Sequence, residues 1–153
     1  MEKKNEQKID PNFKFDVSAA AGGENIKLCF ACGTCTAACP VAVVDNEFNP
    51  RRIIRKILAG LRREVLASPE IWRCLQCYAC YATCPQNVKF RDVVRALRSM
   101  AVADGHVKPG LVEELLKLDR FSVEIRNELV KIILSDKGKY DAVKERIQSD
   151  LKN

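Results

Sequence analysis

Apolar residues recur at helical spacing along much of the chain, and no segment alternates apolar and polar residues as a half-exposed strand would. The clearest helical segment opens at Asn49-Pro50. Its apolar positions are Ile53, Ile54, Ile57, Leu58, Leu61 and Val65. Asn49 is a favourable N-cap and Pro50 suits the first helical position, where its missing N–H is not needed. The pattern therefore predicts a helical segment that begins at Pro50 and extends to Val65.

Two further helices are predicted on either side of a second cysteine-rich stretch. Ser68-Pro69-Glu70 repeats the start signal of a capping side chain followed by proline, and predicts a short helix. A longer helix is expected from about Val88 to Ala103, with Asp104-Gly105 ending it. Its apolar face consists of Phe90, Val93, Val94, Leu97, Met100 and Ala101.

The two ends of the chain differ from this middle part. Residues 1–25 combine many charges with a proline and the run Ala19 to Gly23, without sustained periodicity, and are expected to form a flexible or partner-docked arm. Residues 105–153 carry helical patterns interrupted at Pro109-Gly110, Ser122 and Gly138, and are predicted to be a helical C-terminal extension. The fold class expected for the chain is all-α, with its main domain at residues 26–104.

Composition limits the kinds of protein that this chain could be. It has 153 residues, 47% of them hydrophobic, which is enough for one compact core. Residues 1–10 lack the apolar stretch of a secretory signal, and no run is long enough to span a membrane. We therefore expect a cytoplasmic protein without a direct membrane span. In a reducing compartment, its eight cysteines indicate metal ligation rather than disulfides.

The eight cysteines form two identical C-x₂-C-x₂-C-x₃-C-P motifs. The first contains Cys29, Cys32, Cys35 and Cys39, and the second contains Cys74, Cys77, Cys80 and Cys84. In this motif, three closely spaced thiolates bind one 4Fe–4S cluster and the fourth binds the other cluster. The sequence therefore predicts two 4Fe–4S clusters as cofactors. Cluster 1 is assigned to Cys29, Cys32, Cys35 and Cys84, and cluster 2 to Cys74, Cys77, Cys80 and Cys39.

Other classes of site fit these cysteines less well. Zinc sites usually pair C-x₂₋₄-C units across a longer loop, and a zinc-stabilised binding module remains the alternative outside redox chemistry. The formal charge of +6 counts the cysteines as neutral. With roughly −2 for each ligated cluster, the charge of the holoprotein falls to about +2. We therefore expect no nucleic-acid partner.

The residues around the cysteines are expected to support the clusters rather than to react. The predicted shield against water consists of Phe30, Ala31, Leu75, Tyr78, Ala79 and Tyr81. Gly33 is expected to let its loop approach the cluster closely. The polar face of the Pro50 segment carries Arg51, Arg52, Arg55, Lys56, Arg62 and Arg63. Two interpretations of this basic face stay open: a solvated surface, or a docking surface for an acidic partner.

The chain resembles the C subunit of heterodisulfide reductase and its relatives over roughly residues 26–103. The resemblance rests on the two cysteine motifs, the Asn49-Pro50-Arg51-Arg52 helix start and Trp72-Arg73-Cys74. It also rests on the 34 residues between Cys39 and Cys74, which include a substantial helix, whereas small bacterial ferredoxins have shorter gaps. The resemblance implies an α-helical ferredoxin-like domain with two 4Fe–4S clusters.

What the resemblance implies about function is an electron relay. In such complexes, a small two-cluster subunit passes electrons between a flavin-containing subunit and a catalytic subunit with CCG motifs. This sequence contains neither a CCG motif nor a flavin or nucleotide fingerprint, so we expect no catalytic residue and no complete active site in the chain. The chain would act as one member of a hetero-oligomer. An alternative is the iron–sulfur subunit of a succinate/fumarate or glycerol-3-phosphate dehydrogenase-type respiratory complex.

Overall fold

The structure is a computed structural model and describes residues 9–152. All regular structure in this range is helical, and no strand occurs within it, so the predicted all-α fold class is confirmed. The α-helices are α1 (Phe13–Ala19), α2 (Thr34–Ala37), α3 (Pro40–Val44), α4 (Pro50–Leu58), α5 (Arg62–Leu66), α6 (Ala79–Thr83), α7 (Phe90–Ala103), α8 (Leu111–Ser135) and α9 (Lys137–Asp150). Two short 3₁₀ helices, η1 (Ile26–Leu28) and η2 (Pro69–Trp72), complete the set.

The chain divides into two compact units, one ending at Pro109 and the other starting at Gly110. The first unit contains both cysteine motifs and a continuous hydrophobic core. Its largest fully buried side chains include Phe13, Phe48, Phe90, Ile53, Ile57 and Leu97. These residues lie on α1, α4 and α7 and on the loop before α4, so the core joins the segments that flank the motifs.

Helix α1 corrects the expectation for the N-terminal arm. Phe13 and Val17 lie one helical turn apart and are both fully buried in the core. Two apolar residues at i and i+4 are too few to stand out in a sequence pattern, yet they suffice to dock one short helix. Residues 9–25 of the expected arm are therefore part of the folded unit, and residues 1–8 lie outside the described residues.

The segment predicted to run from Pro50 to Val65 is two helices. Its start is confirmed, because the Asn49 side chain accepts a hydrogen bond from the Arg52 N–H at 3.0 Å. Helix α4 ends at Leu58, since Gly60 adopts a left-handed conformation with φ of 77°. A Cβ at this glycine would lie 2.5 Å from the Asp10 carbonyl oxygen, so the turn also provides space for the N-terminal segment. Helix α5 then restarts at Arg62.

The next two predicted helices are present with small differences in extent. Ser68 caps the short helix as predicted, its hydroxyl accepting from the Glu70 N–H at 3.0 Å, although the helix is of the 3₁₀ type. Helix α7 begins at Phe90 instead of Val88, because Lys89 is left-handed. It ends at Ala103, and Gly105 then adopts a φ of 72°.

The second unit consists of α8 and α9, which pack against each other. The expected interruption at Ser122 is wrong, since α8 is continuous over 25 residues. The Ser122 hydroxyl donates to the Leu118 carbonyl at 2.9 Å, so its hydrogen-bonding capacity is satisfied within the helix. The break falls instead at Asp136, which caps α9 by accepting from the Lys139 N–H. None of the described residues from 110 to 152 is buried.

Among residues 9–152, no helix combines the length and the apolar character needed to cross a bilayer.

Candidate metal centre

The two cysteine motifs adopt the same unusual backbone conformation at corresponding positions. Ala31 and Gly33 have φ of 60° and 88° in the first motif, and Gln76 and Tyr78 have φ of 55° and 65° in the second. Left-handed conformations cost non-glycine residues roughly 1 kcal/mol or more each and cluster at functional sites. Three non-glycine residues in this conformation indicate that the backbone of both loops positions the cysteines for a functional site.

Gly33 has a conformational role in the first motif, and the close approach of its loop to the cluster stays a prediction. A Cβ at this position would meet no atom nearer than Arg51, whose side-chain nitrogen would lie 3.7 Å away, an ordinary contact. The left-handed φ alone favours glycine here. The second motif adopts the same conformation with Tyr78 and must support the strain that Gly33 avoids.

The short helices α2 and α6 hold the third cysteine of each motif and are neighbours in the fold. The exposure of the cysteines follows their order in the motif. Cys32 and Cys77, the second cysteine of each motif, are exposed, whereas Cys80 is buried and the other five are half-buried. All eight are free thiols. Each motif thus has one exposed cysteine and three that are partly or fully buried.

A pocket next to α2 brings together the cysteines assigned to cluster 1. Cys29, Cys32, Cys35 and Cys84 all line it, although Cys84 comes from the other motif. The pKa of Cys35 is raised, first by burial and also by the nearby Cys29, Cys84 and Cys32 thiols. Cys80 reaches the same pocket, so the two cysteine groups adjoin each other.

The cysteines assigned to cluster 2 are also close together. Burial raises the pKa of Cys74, and Cys39 and Cys77 raise it further, so the last cysteine of the first motif lies near the second motif. Burial raises the pKa of Cys80 to about 11, with Cys74 as the next cause and smaller effects from Cys35 and Cys77. The structure therefore places Cys39 and Cys84 each beside the opposite motif, which is the arrangement required for crossed ligation.

The N-termini of two helices are directed at the motifs. The Thr36 hydroxyl donates to the Asn49 side chain at 3.0 Å and accepts from the Arg51 N–H at 3.1 Å, which ties α2 to the start of α4. In the second motif, the backbone N–H of Arg91, at the start of α7, lowers the pKa of Cys80. Positive helix ends stabilise nearby negative charge, including thiolates and the clusters they bind.

Arg98 is a supporting residue that sequence reasoning missed. Its guanidinium donates to the carbonyl oxygens of Ile71, Trp72 and Cys74 at 2.9–3.0 Å, and it also lies over the Trp72 ring. This contact fixes the chain as it enters the second motif and brings a positive charge near Cys74, whose pKa it lowers. The sequence offered no specific signal, because Arg98 is one of three arginines on α7 and the pattern could not identify its three carbonyl partners.

The donors around the sulfurs fit thiolate ligands of an iron–sulfur cluster. The Val88 N–H donates to Cys84 Sγ at 3.4 Å, the Gln76 side chain donates to Cys74 Sγ at 3.6 Å, and the Thr34 hydroxyl lies 3.3 Å from Cys32 Sγ. Hydrogen bonds to cluster sulfurs stabilise the bound state and raise the reduction potential. Within residues 9–152, no three Cys, His, Asp or Glu side chains converge on one point as ligands of a single ion do. Cluster ligands need not converge in this way, because each binds a different iron.

The predicted shield is incomplete in the structure. Phe30, Leu75 and Tyr78 are 59%, 55% and 50% exposed, so these large apolar side chains are only partly covered by the described part of the chain. Tyr78 is covered in part by Arg91, whose guanidinium lies 4.3 Å from the ring centroid.

Much of the basic face is neutralised within the first unit. Arg52 and Lys56 pair with Glu70, and Lys56 also pairs with Glu64. Arg62 pairs with Asp16 at 2.7 Å and with Asp104 at 3.0 Å. These arginines and lysines therefore stabilise the fold, and only part of the face is available for other interactions.

Comparison with known proteins identifies the class of this domain. Residues 25–88 match the family described as a 4Fe-4S dicluster domain. The C subunit of the H(2):CoB-CoM heterodisulfide,ferredoxin reductase of Methanothermobacter thermautotrophicus is 41% identical over 101 residues, which are 66% of this chain and 54% of the relative. An iron–sulfur C subunit of the CoB–CoM heterodisulfide reductase of Methanocaldococcus jannaschii is 40% identical over 84 residues, 55% of this chain and 44% of the relative.

A third relative, from Archaeoglobus profundus, is named only for its likeness to the C subunit of heterodisulfide reductase. It is 32% identical over 97 residues, 63% of this chain and 52% of the relative. The fold and the two motifs define a helical ferredoxin-like domain with two 4Fe–4S clusters, as predicted. Within that class, the matched region is similar to the C subunits of heterodisulfide reductases. The chain spans about half the length of the curated relatives it matches.

Proposed function

We propose that this chain relays electrons through its two 4Fe–4S clusters between a flavin-containing subunit and a CCG-motif subunit of a heterodisulfide-reductase-like complex. The observation that carries the proposal is the interleaving of the motifs, with Cys84 beside the first and Cys39 near the second. Interleaved ligands bring two clusters next to each other. Cys32 and Cys77, one in each ligand set, are exposed, so each cluster would have a ligand at the surface through which it could exchange electrons with a partner.

The proposed ligand sets follow the crossed arrangement. Cluster 1 is held by Cys29, Cys32, Cys35 and Cys84, and cluster 2 by Cys74, Cys77, Cys80 and Cys39. When bound, the clusters supply one-electron redox chemistry. The chain's own residues supply the thiolates, the N–H donors to sulfur and the positive helix ends that offset the clusters' negative charge.

The rest of the reaction is assigned to partners. The given sequence has no CCG motif and no flavin or nucleotide fingerprint, so we assign the heterodisulfide chemistry to partner subunits. The names of the relatives support a complex that acts on a disulfide such as that of CoB and CoM. Hetero-oligomer formation is part of this proposal.

The test combines metal analysis with partner binding in anoxic conditions. Purified protein should contain about eight irons and eight sulfides per chain, with interacting EPR signals after dithionite reduction. Co-expression with the CCG-motif and flavin subunits encoded in the same genome should yield one complex. Bound zinc without a reduced-cluster signal would overturn the electron-relay role. Association with a membrane-anchor subunit in place of the CCG-motif protein would favour a respiratory complex.

A further inference from the structure

The surface around Cys32 combines an exposed cysteine with an aromatic and a basic side chain. Phe30 and Arg51 line the same pocket as Cys32, and all three are exposed. Arg55 lies on the next turn of α4 and lines a shallow groove together with Arg51. We call Phe30, Cys32, Arg51 and Arg55 the Cys32 rim. Aromatic residues and arginines are enriched at the centres of protein interfaces.

No carboxylate neutralises the positive charge of the Cys32 rim in the described part of the chain, although Arg51 interacts electrostatically with Cys32 itself. Within residues 9–152, no carboxylate lies at ion-pair distance from the guanidinium of Arg51 or Arg55. The other cations of α4 are already paired, Arg52 and Lys56 both with Glu70. The basic face therefore divides into a structural part and a part that is free to bind.

The corresponding position next to cluster 2 is different. Arg91 is the second residue of α7, as Arg51 is the second residue of α4, and each follows a cysteine motif. Arg91 pairs with Asp92 at 2.7 Å and covers Tyr78, and it is only 18% exposed. An arginine needed only to offset a cluster's negative charge could be held in this way. Arg51 and Arg55, exposed and without a carboxylate partner among residues 9–152, thus call for a different explanation.

The chemistry of the Cys32 rim identifies its occupant. Two exposed guanidinium groups beside an apolar ring suit carboxylates that surround an apolar patch, and such charge pairs speed and orient docking. We propose that the Cys32 rim is the docking surface for the acidic face of a redox partner subunit, which exchanges electrons with cluster 1 at its exposed edge. This inference rests on the proposed function, since it names the surface through which the relay contacts one partner.

Arg55 provides the sharpest test, because it belongs to the rim without lining the cluster pocket. Arg63 is the matched control: it is also an exposed arginine without a carboxylate partner among the described residues, and it lines a different surface groove. Holoprotein carrying Arg55→Glu or Arg63→Glu would be titrated by interferometry against the separately purified CCG-motif and flavin subunits. The titrations would be carried out at low and at high salt. Iron content should equal that of the wild type in both variants.

We expect Arg55→Glu to weaken binding to one of the two subunits about tenfold at low salt, with a smaller effect at high salt. Arg63→Glu should stay within about twofold of the wild type. If the wild type binds a subunit and both variants bind it equally well, the docking surface is wrong while the relay role stands. If the wild type binds neither subunit, the proposed function fails and the docking surface fails with it. Arg55-dependent binding of a single-stranded RNA, without an effect on either subunit, would also overturn the proposal.

Discussion

At the scale of single residues, the thiols that line one pocket come from two motifs that begin at Cys29 and Cys74. Spacing alone identified the eight ligand candidates, because the chemistry of the cluster requires it. Spacing could not identify Arg98 or Thr36, whose partners are backbone and side-chain groups distant in sequence. Nor could it predict that Tyr78 adopts the left-handed conformation that Gly33 has in the other motif.

Crossed ligation predicts which pairs of cysteine substitutions affect the same cluster. Cys32→Ala with Cys84→Ala should remove ligands from cluster 1 only and leave about four irons per chain. Cys77→Ala with Cys84→Ala should damage both clusters and leave close to none. Iron and sulfide analysis after anoxic purification measures the difference. The opposite ranking of these two double variants would assign Cys84 to the cluster of its own motif.

Arg98 is predicted to support cluster 2 in two ways, through its hydrogen bonds to three backbone carbonyls and through its positive charge near Cys74. Arg98→Met leaves three carbonyl oxygens without this donor and should destabilise the protein by about 2 kcal/mol. It also removes a positive charge near Cys74, so the reduction potential of one cluster should fall. Thermal unfolding and an EPR-monitored redox titration measure the two effects.

Arg98→Lys separates these two contributions. Lysine keeps the charge but lacks the planar fork that reaches several carbonyls, so the potential should stay near the wild-type value while stability still falls. Equal potentials in all three proteins would limit Arg98 to a structural role.

At the scale of elements, the helices followed from capping signals and periodicity wherever a long apolar face was present. Asn49 and Ser68 marked their helix starts correctly, and α7 was predicted within two residues. The predictions were wrong where tertiary contacts, rather than the local sequence, determine whether a helix forms and where it ends. Helix α1 is held by only two buried side chains, and the break between α4 and α5 depends on the passage of Asp10 against Gly60.

That break gives a prediction for Gly60. Gly60→Ala should destabilise the first unit by roughly 3 kcal/mol, because it adds the cost of a left-handed alanine to a clash with the Asp10 backbone. Gly105→Ala is the matched control, since Gly105 has a φ of 72° but no atom within 4 Å of an added Cβ. It should cost only about 1 kcal/mol. Thermal unfolding under anoxic conditions compares the two variants. Equal decreases in unfolding temperature would mean that the Asp10 backbone moves away from the added methyl group without a cost in stability.

At the scale of the whole molecule, the buried core and the cluster ligands both lie in the first unit. Every buried hydrophobic side chain among the described residues falls between Phe13 and Ala101, whereas α8 and α9 keep many large apolar residues exposed. Sequence analysis placed the domain start at residue 26, since the folded role of α1 depends on packing that a local pattern does not reveal. The helical pattern continues beyond the last cysteine, and α8 and α9 lie in that part of the chain.

The location of the core predicts opposite results for deletions at the two ends of the chain. Removing residues 110–153 takes away no buried side chain of the described residues. The shortened protein should therefore keep both clusters, and its unfolding temperature, measured by cluster absorbance, should stay nearly the same. Removing residues 1–19 deletes the fully buried Phe13 and Val17 and the Asp16 partner of Arg62, which should cost several kcal/mol and release iron. Iron lost on C-terminal deletion would show that α8 and α9 support the cluster domain. Iron retained on N-terminal deletion would mean that the core closes without α1.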